Sequence, residues 1–114
     1  MEDFIEYLEE KIESLKKETE KFNENYRQDD AVFVKIKMNV YNVCKTVFEV
    51  FKKVKPESAL YNEYIMKLDE FEENWSKSAD KAKEFGDAKK IAAEDIKLEA
   101  LADIREKFIE VWGR

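Results

Sequence analysis

Apolar side chains recur at alternating steps of three and four residues along almost the whole chain. This spacing constrains the fold more than any other feature, because on an α-helix it places the side chains in one stripe. The first stripe consists of Met1, Ile5, Leu8, Ile12, Leu15, Thr19, Phe22 and Tyr26. The spacing therefore predicts a first helix over residues 2–27.

The second segment can be interpreted in two ways. Residues 32–41 alternate between apolar and polar side chains as a half-buried strand does, but the helical spacing continues for much longer. The helical stripe consists of Phe33, Ile36, Val40, Val43, Val47, Val50 and Val54. We therefore predict a helix over residues 30–54, with Asp30 as its N-cap. We expect this stripe to face the core, and we therefore predict that Val43→Asp or Val47→Asp unfolds the chain.

Two further helices follow from the same spacing. Lys55 and Pro56 end the second pattern, because the residue before proline is steered away from helical angles. The third stripe consists of Tyr61, Tyr64, Leu68, Phe71, Trp75, Ser78, Ala82 and Phe85. It predicts a helix over residues 57–85 that ends at Gly86, although the small and charged residues of 76–86 leave its continuity open. The last stripe consists of Ile91, Leu98, Leu101, Ile104, Phe108, Val111 and Trp112, and it predicts a helix over residues 88–112 capped by Asp87.

The turn residues decide the fold class. Two glycines and one proline are too few for a sandwich or barrel of many short strands. Helices of similar length joined by short connections favour antiparallel neighbours. The sequence therefore predicts an all-α fold, an antiparallel up-down-up-down four-helix bundle that forms a single domain over residues 1–114.

Charge and cysteine content bear on partners and location. The chain has 27 acidic and 21 basic residues, giving a net charge of −6, and it contains one cysteine. We expect no direct nucleic-acid binding, because phosphate affinity comes mainly from clustered lysine and arginine. No apolar run approaches the length needed to cross a bilayer, and the acidic start is unlike an export signal, so we expect no membrane partner and a cytoplasmic location.

The chemistry of catalysis is mostly missing from the sequence. There is no histidine, which removes the commonest general base and the usual nitrogen ligand of metals. We interpret Cys44 as a small core residue rather than a nucleophile. The acidic clusters, interpreted as solvated faces, are Glu6, Glu9, Glu10, Glu13, Asp69, Glu70, Glu72 and Glu73. We therefore expect no enzyme activity, no catalytic residue, no cofactor and no metal.

Aromatic residues suggest a contact surface. The chain contains eight Phe, five Tyr and two Trp, and we do not expect the core of a bundle of this length to bury all of them. An exposed apolar patch marks an interaction site. The candidate surface consists of Tyr41, Phe48, Phe51, Tyr61 and Tyr64. We expect a noncatalytic helical protein–protein interaction module whose partner is another protein or a second copy in a homodimer. The alternatives are an acidic inhibitor that mimics nucleic acid in a basic groove, and an enzyme or ligand carrier that uses carboxylates, tyrosines or an apolar cavity between helices.

Overall fold

The computed structural model describes residues 2–25 and 27–113, and all regular structure within them is helical. Helix α1 spans Glu2–Glu24, α2 spans Gln28–Val54, α3 spans Glu57–Phe85 and α4 spans Ala88–Trp112. The predicted antiparallel four-helix bundle is confirmed, and residues 32–41 are helical rather than extended. Met1 and Tyr26, the two ends of the first predicted stripe, lie outside the described residues. No helix in the described part of the chain is long and apolar enough to span a lipid bilayer.

The connection between α1 and α2 differs from the prediction. α1 ends at Glu24, and α2 begins at Gln28, two residues before the predicted cap at Asp30. The capping position is Arg27, whose side chain makes no capping hydrogen bond. Asp30 lies instead in the first turn, where its carboxylate accepts a hydrogen bond from Arg27 Nε at 2.7 Å. A negative charge in the first turn still stabilises the helix, because the free N–H groups there carry partial positive charge.

The other two connections follow the sequence signals. Lys55 is extended before Pro56, and α3 begins directly afterwards. α3 is unbroken to Phe85, and Gly86 adopts the left-handed conformation at φ 68°. The N–H of Asp87 donates to the carbonyl of Ala82 at 3.0 Å, which completes a glycine-ended helix terminus. The Asp87 side chain then caps α4 by accepting from the N–H of Lys90 at 3.1 Å.

The helices pack as two hairpins, α1 with α2 and α3 with α4, and the hairpins meet mainly where α2 contacts α4. The molecule measures 45 × 34 × 22 Å. The shortest dimension is about two helix diameters, so the bundle is flattened. α2 contacts each of the other three helices, and its contact with α4 is more extensive than its contact with α3.

One buried aromatic residue from each helix forms the middle of the core, at the end of the bundle where α2 joins α3. These four residues, the aromatic centre, are Phe4, Phe48, Tyr64 and Phe108. All six pairs of rings have centroids between 4.7 and 5.9 Å apart. Most pairs meet edge to face, the arrangement that aromatic rings prefer. The opposite end, near residues 27 and 86, buries smaller side chains, including Thr19, Ala31, Ala79 and Ala82.

The predicted core stripe of α2 is corrected by this packing. The buried residues of α2 are Ala31, Val40, Tyr41, Cys44 and Phe48. Val43 and Val50 are 44% and 49% exposed, and Val54 is 68% exposed. α2 carries two apolar stripes, and the aromatic stripe faces inward because large rings remove more apolar surface from water than valines do. Because Val43 is exposed, the prediction that Val43→Asp unfolds the chain no longer has a structural basis. Val47 is half-buried against the core, so the same expectation for Val47→Asp stays a prediction.

Candidate interaction face on helix α2

An apolar stripe on the outer flank of α2 is the most extended exposed apolar feature of the described residues. We call it the valine face, and it consists of Val32, Ile36, Val43, Val50 and Val54. At 3.6 residues per turn these five positions fall within an arc of about 40°, and at 1.5 Å per residue they span about 33 Å. The valine face is therefore a narrow, straight strip almost as long as α2 itself.

At the start of α2 the valine face runs into a groove shared with α4. The groove has a volume of about 580 Å³, and its apolar lining comes from Val32, Phe33 and Ile36 of α2 and from Ala93 of α4. Asp29, Asp87, Lys89 and Lys90 form its polar rim. Two helix walls therefore flank the strip at this end, whereas Val50 and Val54 lie on open surface.

Lysines dominate the charge beside the valine face. Residues 31–55 contain six lysines and one acidic residue, Glu49. The Glu49 carboxylate is already 3.4 Å from Lys45 Nζ, which also lies 3.6 Å from Glu9 of α1. Lys35 and Lys53 are exposed and follow Val32 and Val50 by three residues, so each lies one turn away from a residue of the face. This side of an acidic protein is locally basic.

The five aromatic residues of the predicted contact surface lie elsewhere. Tyr41, Phe48 and Tyr64 are buried in the core, so the expectation that they form an exposed surface is corrected. Phe51 and Tyr61 are half-buried against the same core, and the Tyr61 ring stacks on Phe108 at 5.5 Å. The expectation was wrong because the four rings of the aromatic centre pack against one another. This packing buries aromatic surface that we had expected to remain exposed.

A carboxylate on α4 holds two tyrosines from the other hairpin. Asp103 accepts hydrogen bonds from the hydroxyls of Tyr7 at 2.7 Å and Tyr41 at 2.6 Å. Burial and the hydrogen bond to Asp103 raise the pKa of both tyrosines well above the ordinary value. Both hydroxyls therefore stay protonated as donors, and the cluster joins α1, α2 and α4.

Cys44 is a core residue, as its sequence context indicated. Its side chain is fully buried, and burial raises the pKa of the thiol to about 12. Its backbone carbonyl accepts a hydrogen bond from the Tyr64 hydroxyl at 2.8 Å, and burial raises the pKa of Tyr64 as well. A thiol that stays protonated is a poor nucleophile, so the Cys44 side chain is not activated for nucleophilic attack.

Glu94 is a buried acid that the sequence analysis did not single out. It is 4% exposed, and its Oε1 accepts from Lys97 Nζ at 3.1 Å and from Ser78 Oγ at 3.3 Å. Its Oε2 has no hydrogen-bond partner among the described residues. The sequence does indicate that Glu94 is buried. Ile91 and Leu98 are seven residues apart in the apolar stripe of α4, and Glu94 occupies the position of the stripe between them. Within residues 2–25 and 27–113, no three potential metal-ligating side chains of the His, Cys, Asp or Glu type cluster together.

The acidic clusters lie on exposed faces, and those of α3 are compensated by cations. Arg105 of α4 contacts both Asp69 and Glu72. Glu70 and Glu73 are paired with Lys67 at 3.4 Å and Lys77 at 3.0 Å. The cations beside these carboxylates weaken the negative electrostatic potential that they present to a basic partner.

Comparison of the chain with protein-family models, with curated proteins and with solved structures found no match.

Proposed function

We propose that this protein is a noncatalytic helical module that binds another protein through the valine face of α2. The observation that carries the proposal is a strip of about 33 Å on α2, with four exposed valines and the half-buried Ile36 at helical spacing, on a helix whose other side builds the core. Single exposed apolar residues are ordinary, but four exposed valines that recur along one side of a helix are typical of a surface that a partner covers.

The chemistry of the described side chains supports a binding role rather than a catalytic one. The sequence contains no histidine, and the cysteine and the tyrosines bonded to Asp103 are held in their protonated forms. The proposal involves no cofactor, metal, nucleic acid or membrane. We place the module in the cytoplasm, where a reducing environment suits a chain with one cysteine.

The alternative of an acidic nucleic-acid mimic draws on the exposed carboxylates of α1 and α3. We favour the valine face because the acids of α3 are already paired with Arg105, Lys67 and Lys77. The valine face has no such partner within the described residues. Partner binding that falls steeply with salt and survives loss of the valine face would favour the mimic.

The proposal is tested with the double substitution Val43→Asp and Val50→Asp, with Met66→Asp as the matched control. All three side chains are exposed, so we expect both variants to keep the circular dichroism and melting temperature of the wild type within a few degrees. Met66 lies on α3, away from the valine face. Each variant is used for affinity capture from a lysate of the native host and for sedimentation at high micromolar concentration.

We expect wild type and Met66→Asp to capture the same protein or to self-associate to the same degree, and the double variant to lose that binding. A charge in a desolvated apolar contact is strongly unfavourable, so the loss should be at least tenfold in affinity. A folded double variant that binds and sediments as the wild type does would show that the valine face is not the binding surface.

A further inference from the structure

We propose that the element docking on the valine face is a single amphipathic helix of another protein, with acidic side chains flanking its apolar stripe where it meets Lys35, Lys53, Lys89 and Lys90. This inference rests on the proposed function and specifies the chemistry of its partner. It follows from the shape of the face, from the charge beside it and from what a second copy of this chain can offer.

The shape of the face fits a helix. The five residues follow one another at steps of 4, 7, 7 and 4, which is the spacing of a seam between two packed helices. An extended peptide would need pockets at alternate residues and free backbone groups to pair with, and the backbone of α2 is hydrogen-bonded within the helix. About 21 residues of helix, or three heptads, match the 33 Å length. The groove beside Val32, Ile36 and Ala93 would seat one end of that helix between α2 and α4.

The charge beside the face fits acidic flanks. Lys35 and Lys53 are exposed next to the strip, and Lys89 and Lys90 rim the groove. Of the acids nearby, Glu49 is paired with Lys45, and Asp87 caps the start of α4. Asp29 remains at the rim, at the start of α2. Complementary charges at a rim speed association and select partners, although each exposed pair adds little affinity.

A second copy of this chain fits less well. In a symmetric dimer the same patch occurs on both sides, so two valine faces would bring the lysines of both copies together. The acidic helices α1 and α3 of a second copy carry the right charge, but their apolar stripes are buried in their own core by Leu8, Leu15, Tyr64 and Leu68. Neither surface therefore offers an apolar stripe with acidic flanks.

The experiment uses two synthetic helical peptides of about 21 residues with the same isoleucine and leucine seam. One peptide carries Glu and the other Lys at the positions flanking the seam. Binding to the full chain is measured by fluorescence anisotropy at about 0.15 M salt. We expect the Glu peptide to bind roughly tenfold more tightly, although the chain has a net charge of −6 and would attract the Lys peptide if overall charge governed binding.

Charge-reversal variants localise the preference. Lys35→Glu with Lys53→Glu should abolish or reverse it, whereas Lys16→Glu with Lys17→Glu, on exposed positions of α1, should leave it intact. Both double variants change the net charge by the same amount, so only a local effect separates them. Circular dichroism checks that each variant is folded.

The outcomes separate this inference from the proposed function. If both peptides bind equally, or the Lys peptide binds better, and Val43→Asp with Val50→Asp abolishes binding, the acidic preference is wrong while the binding face stands. If neither peptide binds and the chain self-associates until those valines are replaced, the partner is a second copy and this inference is overturned. If neither peptide binds and the valine substitutions change nothing, both proposals fall.

Discussion

Replacing Phe48 by alanine tests which side of α2 faces the core. The Phe48 ring has no exposed surface, and its centroid lies 5.1 to 5.8 Å from those of Phe4, Tyr64 and Phe108. Removing a buried phenylalanine side chain costs about 3 to 5 kcal/mol, because apolar burial is lost and a cavity remains. Domains of this size have a total stability of about 5 to 15 kcal/mol. The substitution should therefore remove about a fifth or more of the stability.

The matched substitution is Val43→Ala on the opposite side of the helix. The change removes two methyl-sized groups, worth roughly 1.6 kcal/mol if fully buried. Because Val43 is 44% exposed, the loss should be under about 1 kcal/mol. Alanine is also the better helix former by about 0.5 kcal/mol, which offsets much of that loss. The net change in stability should be close to zero.

Urea unfolding followed by far-UV circular dichroism measures both changes. With a slope of about 1.5 kcal/mol per molar urea, the midpoint should fall by roughly 2 to 3 M for Phe48→Ala. For Val43→Ala it should move by less than about 0.5 M. A larger fall for Val43→Ala than for Phe48→Ala would mean that the valine face is turned toward the core, and the proposed binding surface would be lost with it.

Two further predictions concern buried ionisable groups. Glu94→Met should raise the melting temperature by roughly 2 to 8 °C, because it removes a buried carboxylate with one oxygen that has no hydrogen-bond partner in the described part of the chain, and it leaves Lys97 able to reach water. Glu99→Met, at an exposed position, is the control, and a fall in the melting temperature of Glu94→Met would contradict the reasoning. Stability should decrease as the pH rises above about 9, because the Cys44 thiol has a pKa near 12 in the fold and 9.0 in the unfolded chain, so only the unfolded chain ionises between these values. Between pH 9 and 10 the slope comes from Cys44 and should rise toward about 1.4 kcal/mol per pH unit in urea titrations under reducing conditions. Above pH 10 the unfolded chain also ionises Tyr7, Tyr41 and Tyr64, whose pKa values are raised in the fold, so a slope remains there in Cys44→Ala. If the thiol were accessible, wild type and Cys44→Ala would show the same slope between pH 9 and 10.

Local signals predicted most of the helix ends. Gly86 and Asp87 act within a few residues of their own position, so their roles are legible in the sequence alone. Lys55 and Pro56 end α2 for the same reason. Asp30 was assigned the wrong role, because the helix extends two residues further toward the N-terminus and no side chain takes the cap at Arg27.

The orientation of α2 was not predictable from spacing alone. Its valine stripe and its aromatic stripe both repeat at helical intervals, and only the rings of the three other helices decide which one is buried. The same limit applies to Asp103, whose two tyrosine partners are 62 and 96 residues away in the chain. Contacts of that kind depend on how the hairpins meet, which no local pattern encodes.

We expect the uneven core to give the two ends of the bundle different local stability. Four packed rings hold the end where α2 joins α3, whereas small residues and the buried Glu94 fill the end near residues 27 and 86. Hydrogen exchange at backbone amides should be slowest around Phe48 and Tyr64 and faster in the first turns of α2 and α4, where fewer apolar contacts resist opening. The groove beside Val32 and Ala93 belongs to that softer end. A partner helix would therefore contact a stable surface at Val43 and Val50, and a part of the bundle that opens more easily at the groove beside Val32.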